Sequence, residues 1–509
     1  MDALRAFHWP AVAMATFAAA LGVLPVAASC AEPSTALLPG EPTLAIGALD
    51  LKALDYVSEE FIVEGNANSY EDLGSDAQGH WNARPATTAP YATRIVVIRP
   101  AKAAHFNGNV VVEWLNVSGG VDFGPVWNVT RRELVRSGTA YVAVSAQRVG
   151  IEGGLSFTAA GLPLKKVNPA RYGRLHHPGD AFSFDIFSQI GQLAKARTSP
   201  VMGELPVRHV IAVGESQSAG FLTTYVNAVD PVVKVFDGFL IHSRFGSAPE
   251  LNPVPIGAGD RSQASGRGNL PPQRFVRMRP DLRVPVMTFL TETDVLGFAG
   301  RGGYAAVRQP DTDRLRVWET AGTAHADAYF MTVGGMDSGK ATPDELATAY
   351  APSNNLRGVP LAKPFNNAPQ HHYIMQAAIS ALQRWVDGGR APAHGSALVL
   401  TGNGSAESPF TPVLDDQGNI MGGVRSPWMN VPTGRLAGVG NQGSPVAALY
   451  GLSEPFAPET LARLYPGGRK DYVARFSRDL DRTIAAGFIL PADRDEILAL
   501  AGAAWSGTR

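Results

Sequence analysis

Residues 210–218 read VIAVGESQS, and the stretch AGFLTTYV follows them at residues 219–226. The first four residues are apolar and mostly β-branched, which is typical of a buried strand. The next five include one glycine and two serines, residue types that suit a sharp turn. A strand, a sharp turn and a helix in this order would place Ser216 on the turn, with its hydroxyl exposed at the N-terminus of the helix.

A serine on such a turn has a strained backbone, so small residues are needed two positions to either side. Gly214 and Ser218 meet this requirement, although a second glycine is more usual than a serine. Backbone N–H groups at a helix N-terminus can stabilise an oxyanion. The stretch therefore predicts a nucleophilic serine that attacks an acyl carbon and later passes the acyl group to water. The alternative is an ordinary strand-to-helix turn.

The composition limits the class of protein. The chain has 509 residues, of which 45% are hydrophobic and 17% charged, as in globular proteins. A net charge of −1 predicts no attraction to nucleic acid or to an anionic membrane. The sequence contains no cysteine cluster and no His-Glu-x-x-His motif, so we expect no metal and no cofactor.

Residues 1–31 have the features of a secretory signal peptide. Arg5 precedes an apolar run over residues 11–28, and small residues follow before Glu32. This pattern predicts a secreted or periplasmic protein. Cys30 is the only cysteine, so no internal disulfide can form. We expect it to be removed with the signal; the alternative is lipidation at Cys30, the one case in which we expect a membrane contact.

Seven apolar runs have the length of buried strands, and four stretches between or after them have helical periodicity. The predicted strands are 94–98, 110–114, 141–145, 210–213, 236–241, 286–290 and 315–319, and the predicted helices are 126–137, 182–194, 219–227 and 373–386. Strands that alternate with helices predict an α/β fold with a mostly parallel sheet and helices on both faces. Ser216 would lie at the carboxyl edge of that sheet.

The pattern also predicts three regions. We expect a core over residues 32–395, with insertions near 244–283 and 326–370, and a C-terminal extension over 396–509 that packs on the core. We expect the second insertion to be irregular, whereas the first is rich in Gly, Pro, Arg and Ser and lies between two predicted strands. It suits either a cap over the site or a plain surface excursion.

A nucleophilic serine needs a histidine as general base and a carboxylate that orients it, in the chain order serine, acid, histidine. The predicted strand 286–290 is followed by Glu292 and Asp294. If this segment stays extended, both carboxylates point to one side, and one of them reaches the base. Asp294 has the usual position and Glu292 the longer reach. His325 follows a strand and a loop of small residues and is the predicted base.

An oxyanion hole needs two backbone donors. The amide of Gln217, directly after the serine, is the first candidate. The second should come from the loop after strand 110–114, where Val117 and Ser118 are the candidates, with Asn116 as a further option. Candidate substrate contacts mix apolar and polar groups and favour neither a long lipid chain nor a specific sugar. They are Trp114, Trp127, His242, Arg244, Phe298 and Tyr329.

Four segments together resemble the secreted bacterial family called "α/β hydrolase domain-containing protein". They are VEWLNVS (112–118), GESQSA (214–219), TETDV (291–295) and WETAGTAH (318–325), and the late segment DQGNIMGGVRSPW (416–428) is similar to the family too. The resemblance implies an α/β-hydrolase fold and an esterase-like serine mechanism. It implies that Ser216, Glu292 or Asp294, and His325 carry that mechanism, and it implies no particular substrate.

The predicted function is therefore the hydrolysis of a small-molecule or polymer ester through an acyl-enzyme. One alternative is a non-catalytic ligand-binding protein on the same fold, since one fold hosts many functions. Another is a peptidase, because the same three residue types also cleave amides. The presence of all three types disfavours the first alternative, and no motif that would bind a peptide N-terminus supports the second.

Overall fold

A computed structural model of the protein describes residues 32–154, 156, 161–253, 274–298, 300–443 and 446–506. The predicted signal peptide at residues 1–31 and the lipidation alternative at Cys30 lie outside these residues. So do residues 254–273, the middle of the insertion predicted near 244–283. No helix in the described ranges combines the length and the hydropathy that crossing a membrane requires.

The described residues form a nine-stranded sheet in the order β1-β2-β3-β5-β4-β6-β7-β8-β9. The strands are β1 Ser34–Leu38, β2 Tyr56–Ser75, β3 Trp81–Pro100, β4 Asn109–Trp114, β5 Ala140–Val144, β6 His209–Glu215, β7 Gly238–His242, β8 Val286–Thr291 and β9 Leu315–Thr320. Every neighbouring pair from β5 to β9 is parallel, whereas β1, β2 and β3 pair antiparallel with their neighbours. The mostly parallel sheet confirms the predicted fold class, and all seven predicted strands lie in it.

Helices cover both faces of this sheet. The longer ones are α1 Pro125–Arg136, α2 Ser183–Lys195, α3 Gln217–Thr224, α4 Gln370–Val386, α5 Gly468–Ala485 and α6 Arg494–Ala503. The shorter ones are Arg148–Glu152, Leu164–Val167, Pro169–Tyr172, Asp230–Val233, Glu292–Leu296, Gly334–Met336, Pro343–Ala349, Pro427–Asn430 and Pro458–Leu464. The four predicted helices correspond to α1, α2, α3 with the π-helical turn Tyr225–Val229, and α4.

Two hydrophobic cores follow from the alternation of side chains along buried strands. Val110 and Val112 of β4 face one core, which α2 closes with Phe184 and Phe187. Val111 faces the opposite core, to which α1, α4 and α5 contribute. Because both faces of β4 are buried, its centre is the uninterrupted apolar run Val110, Val111 and Val112, as expected of a central parallel strand.

Strands β1 and β2 and the first half of β3 were not predicted. The strands β2 and β3 form a long antiparallel hairpin, and its outer part is largely exposed, so this part shows no apolar alternation. The buried Arg94 ties the inner part of the hairpin to the core. Its Nη2 lies 2.6 Å from Asp122 Oδ2, and its Nη1 lies 3.6 Å from Glu60 Oε1 on β2.

The region predicted as a C-terminal extension packs against the sheet and α1. Val424 extends the edge next to β9, because its N–H donates to Glu319 O at 2.7 Å and its carbonyl accepts from Ala321 N at 3.1 Å. At the other end, Arg132 of α1 makes two hydrogen bonds of 2.8 Å to Glu496 of α6. The proposed boundary near residue 396 stays a prediction.

The insertion predicted near 326–370 is more regular than its sequence suggested. It contains the π-helical turn Tyr329–Val333, the helices Gly334–Met336 and Pro343–Ala349, and the strand pair Asn355–Leu356 and Val359–Pro360. The expectation of an irregular segment was wrong here. The helix Pro343–Ala349 is short but has a capping box between Thr342 and Glu345, which supplies local stability.

We expect Arg94→Met to lower the free energy of unfolding by about 3–5 kcal/mol, because it leaves the buried carboxylate of Asp122 without its cation. Urea denaturation measures the change. Arg84→Met is the matched control, since Arg84 lies on the same strand but pairs with Glu71 at the surface. Equal stability of the Arg94→Met variant and the wild type would contradict this role of Arg94.

Candidate active site

Ser216 occupies the turn between β6 and α3 and has a strained backbone. Its φ of 56° and ψ of −114° lie in a region that non-glycine residues rarely adopt. Its N–H donates to His242 O at 2.9 Å, which fixes the turn to β7. A Cβ on Gly214 would lie 3.0 Å from Leu222 and 3.2 Å from the backbone of Ser218, so a side chain here would require the turn to shift by a few tenths of an ångström.

Ser218 closes the same turn through its hydroxyl. The buried Oγ donates to Glu215 O at 2.8 Å and accepts from Glu215 N at 3.1 Å. A glycine at this position could make neither bond. The departure from the usual second glycine therefore adds hydrogen bonds to the turn.

A carboxylate is presented to the site by the end of β8. Asp294 is fully buried, and its Oδ2 accepts from the backbone N and the Oγ1 of Thr291, both at 2.7 Å. Its Oδ1 lies 2.6 Å from His325 Nδ1. Because one carboxylate oxygen is held by Thr291, the other is directed at the imidazole.

Glu292 points elsewhere. The segment is not extended, because residues Glu292–Leu296 form a helical turn. Residues two apart on a helix are rotated by about 200°, so the two carboxylates face opposite sides. Glu292 is buried and accepts from Gly322 N at 2.5 Å and from Gly438 N at 2.8 Å. Burial raises its pKa to about 7.

His325 lies between the serine and Asp294. Its Nε2 is 2.9 Å from Ser216 Oγ, and its backbone N–H donates to Thr293 Oγ1 at 3.1 Å. A carboxylate beside Nδ1 favours the tautomer with the proton on Nδ1, so Nε2 is left with a lone pair that faces the hydroxyl. Burial alone lowers the pKa of His325, but Asp294 and Glu215 outweigh it and hold the pKa above its ordinary value.

The candidate oxyanion donors are brought together because β4 and β6 are adjacent and parallel. The chain leaves these two strands in opposite directions, so their carboxyl ends form the crevice typical of open α/β sheets. Gln217 is the first residue of α3, where an amide has no carbonyl within the helix to bond. Val117 N is 3.5 Å from Gln217 Oε1, a weak contact, whereas Ser118 N donates to Asn116 Oδ1 at 2.8 Å. Of the two loop candidates, Val117 has the more available amide.

Glu215, in the stretch 210–218, is a buried carboxylate for which no role was predicted from the sequence. Its Oε1 lies 3.4 Å from His325 Nε2, and its Oε2 accepts from Asn116 Nδ2 at 3.1 Å. Burial raises the pKa of Glu215 to about 7. The signal available in the sequence was its position directly before the serine.

The candidate substrate contacts Trp114 and Tyr329 are held by ring packing and by hydrogen bonds to other side chains. Trp114 packs against an aromatic cluster, and its Nε1 donates to Gln147 Oε1 at 3.0 Å. Tyr329 stacks on His372 and donates to Asp337 Oδ2 at 2.9 Å. Both are almost fully buried, and a substrate-binding role for them stays a prediction.

His242, the third candidate, contacts the serine through its backbone carbonyl. Its ring belongs to a buried chain, in which His242 Nε2 is 2.9 Å from His371 Nε2 and His371 Nδ1 is 2.8 Å from Asp327 Oδ2. Burial, His371 and His325 hold the pKa of His242 well below its ordinary value. His242 is therefore a neutral group beneath the serine turn.

Among the residues with a described placement, no group of three or more His, Cys, Asp or Glu side chains is arranged to hold a metal ion. The polar contacts of the site are instead those of Ser216, His325 and Asp294 with their supporting backbone.

The sheet order, the strained serine after β6 and the histidine after β9 define an α/β-hydrolase fold. The family described as alpha/beta hydrolase domain matches residues 25–499, so the chain belongs to this family. Membership supports a hydrolase. No curated protein sequence matches the chain.

Solved structures of esterases are distantly similar. Acetyl xylan esterase 1 from Thermoanaerobacterium sp. JW/SL YS485 has 10% sequence identity and a TM-score of 0.28, over 52% of this chain and 74% of that one. A fungal esterase from Rhizomucor miehei has 12% identity and a TM-score of 0.24, over 50% and 75% of the two chains. Similarities of this size carry no argument about the substrate.

We expect Gly438→Ala to lower the free energy of unfolding by about 1–3 kcal/mol, because overpacking forces backbone shifts. A Cβ there would lie 2.3 Å from Thr323 O and 2.5 Å from Glu292 Cβ. Urea denaturation measures the loss. Gly335→Ala is the matched control, since its Cβ would meet nothing within 4 Å. A Gly438→Ala variant as stable as this control would contradict the close packing.

Proposed function

We propose that the protein is a serine hydrolase that cleaves carboxylic esters through an acyl-enzyme, with Ser216, His325 and Asp294 as its triad. One arrangement carries the proposal. His325 lies 2.9 Å from Ser216 Oγ through Nε2 and 2.6 Å from Asp294 Oδ1 through Nδ1. This is the contact order that nucleophilic catalysis by serine requires.

In the first half of the reaction, Ser216 Oγ attacks the acyl carbon while His325 Nε2 takes the hydroxyl proton. The negative charge on the former carbonyl oxygen is stabilised by the amides of Gln217 and Val117. When the tetrahedral intermediate collapses, the ester C–O bond breaks and the imidazolium gives its proton to the departing alcohol. Asp294 stays ionised and orients the imidazole throughout.

In the second half, a water molecule takes the place of the alcohol. His325 Nε2 removes its proton as the water oxygen attacks the acyl-enzyme. Collapse of the second intermediate releases the acid and returns the proton to Ser216 Oγ. The strained backbone of Ser216 supports both halves, because it keeps Oγ at the helix N-terminus.

We expect Ser216→Ala to lower kcat/KM for p-nitrophenyl acetate by about 10³-fold or more, because the nucleophile is lost. Ser405→Ala, at an exposed serine, is the control and should keep the wild-type rate. A fluorophosphonate probe should label the wild type and not the Ser216→Ala variant. A folded Ser216→Ala variant with the wild-type rate would reject the proposal.

The same assay separates the alternative functions. Cleavage of p-nitroacetanilide that is lost in Ser216→Ala would indicate a peptidase. A protein that cleaves neither and resists the probe would be a binding protein. The proposal requires preference for the ester.

The pH dependence follows from the raised pKa of His325. The base must be neutral to accept the serine proton, so kcat/KM should rise with pH as His325 loses its proton. Because Asp294 and Glu215 raise this pKa, we expect the acid limb to have its midpoint above the ordinary histidine value of 6.5. A kcat/KM profile over pH 5–9 measures it, and a midpoint below 6.5 would contradict the assigned environment.

A further inference from the structure

Glu215 has one bonded and one unbonded carboxylate oxygen. Its Oε2 accepts from Asn116 Nδ2 at 3.1 Å, and the same amide lies 3.2 Å from the backbone oxygen of Glu215. In the described residues, its Oε1 has no hydrogen-bond partner. The side chain is 2% exposed, so water does not solvate that oxygen from the surface. The Asn116 contacts thus fix the carboxylate in one orientation.

The unbonded oxygen is directed at the imidazole of His325. Oε1 lies 3.4 Å from Nε2, the same nitrogen that is 2.9 Å from Ser216 Oγ. A buried carboxylate oxygen without a partner costs free energy. The cost is offset when Nε2 becomes protonated, because a charged N–H then faces the oxygen. The orientation is suited to the imidazolium rather than to the resting imidazole.

We propose that Glu215 is a positioning residue that stabilises the imidazolium of His325 through Nε2, while Asp294 holds Nδ1. This inference rests on the proposed function. It gives His325 a carboxylate on each side of the ring, one from the end of β6 directly before the serine and one from the helical turn after β8.

One proton is transferred twice in the first half of the reaction. The proton of Ser216 Oγ moves to Nε2 as the Oγ–carbon bond forms, and the new N–H lies between the reacting oxygen and Glu215 Oε1. The same proton then moves to the leaving alcohol as the ester bond breaks. Glu215 stays ionised, and no bond to it forms or breaks.

Protonation of Glu215 would oppose this role. A protonated Oε1 would donate to Nε2 and occupy the lone pair that must receive the serine proton. Burial brings the pKa of Glu215 to about 7, with Asp294 raising it and His325 lowering it. The other titratable groups that face this pair are Glu113, close to Glu215, and Arg301 and the neutral His242, close to His325. Activity should therefore depend on the ionised form of Glu215.

The test compares Glu215→Gln with Glu215→Asp, which keeps the charge. Loss of the charge in Glu215→Gln lowers the pKa of His325, so the acid limb of kcat/KM for p-nitrophenyl acetate should move to lower pH by about 0.5–1 unit. The plateau should fall about tenfold, because a charge-assisted contact to the imidazolium is lost. Glu215→Asp should keep the limb near its wild-type position.

A second measurement does not depend on turnover. In a Ser216→Ala background, which has no nucleophile, the pKa of His325 can be read by NMR titration of its ring protons. We expect the pKa of His325 to fall when Glu215→Gln is added. When Glu215→Asp is added, we expect this pKa to stay close to its value in the Ser216→Ala variant. This readout moves with the charge of residue 215 and not with packing alone.

The outcomes separate the two claims. A Glu215→Gln variant with a lower plateau but an unmoved limb and an unmoved His325 pKa would overturn the inference, because Glu215 would then act by packing only. A Glu215→Gln variant with the wild-type plateau, the wild-type acid limb and an unmoved His325 pKa would also overturn the inference. In either case the proposed function stands if Ser216→Ala is inactive, and it fails separately if Ser216→Ala keeps the wild-type rate.

Discussion

The backbone of Ser216 is the constraint on which the rest of the site depends. A positive φ at a non-glycine residue costs on the order of 1–3 kcal/mol, and the surrounding contacts hold it in place. The bond to His242 O anchors the turn to β7, the missing side chain of Gly214 lets α3 approach, and the hydroxyl of Ser218 closes the turn on Glu215. Each of these contacts depends on the central parallel strands being packed on both faces.

The sequence was a good guide where the chain is buried. Continuous apolar runs identified the central strands, and the small residues before His325 identified the histidine loop. Strand β2 was missed because its outer part is exposed and polar, so no alternation marks it. Trp114 and Tyr329 could not be placed from sequence, because a large ring beside a strand end can turn toward the site or into the core, and packing decides which.

The acid could not be chosen from sequence for a different reason. The choice between Glu292 and Asp294 depends on whether the segment that contains them, directly after β8, stays extended or forms a helical turn. The capping contacts between Thr291 and Asp294 start that turn and rotate the two carboxylates apart. The burial of Glu215 was not predicted, because a charged residue in a turn motif is usually exposed to solvent. Only the residues that surround Glu215 in the fold show that it is buried.

Glu292 also links the order of synthesis to the finished site. Its carboxylate joins the amide of Gly322 in the histidine loop to the amide of Gly438, which is made 146 residues after Glu292. A growing chain thus contains Ser216, Asp294 and His325 well before it contains the residue that completes this clamp. Both amides that Glu292 joins are therefore present only after residue 438 has been made, so this clamp on the histidine loop forms late.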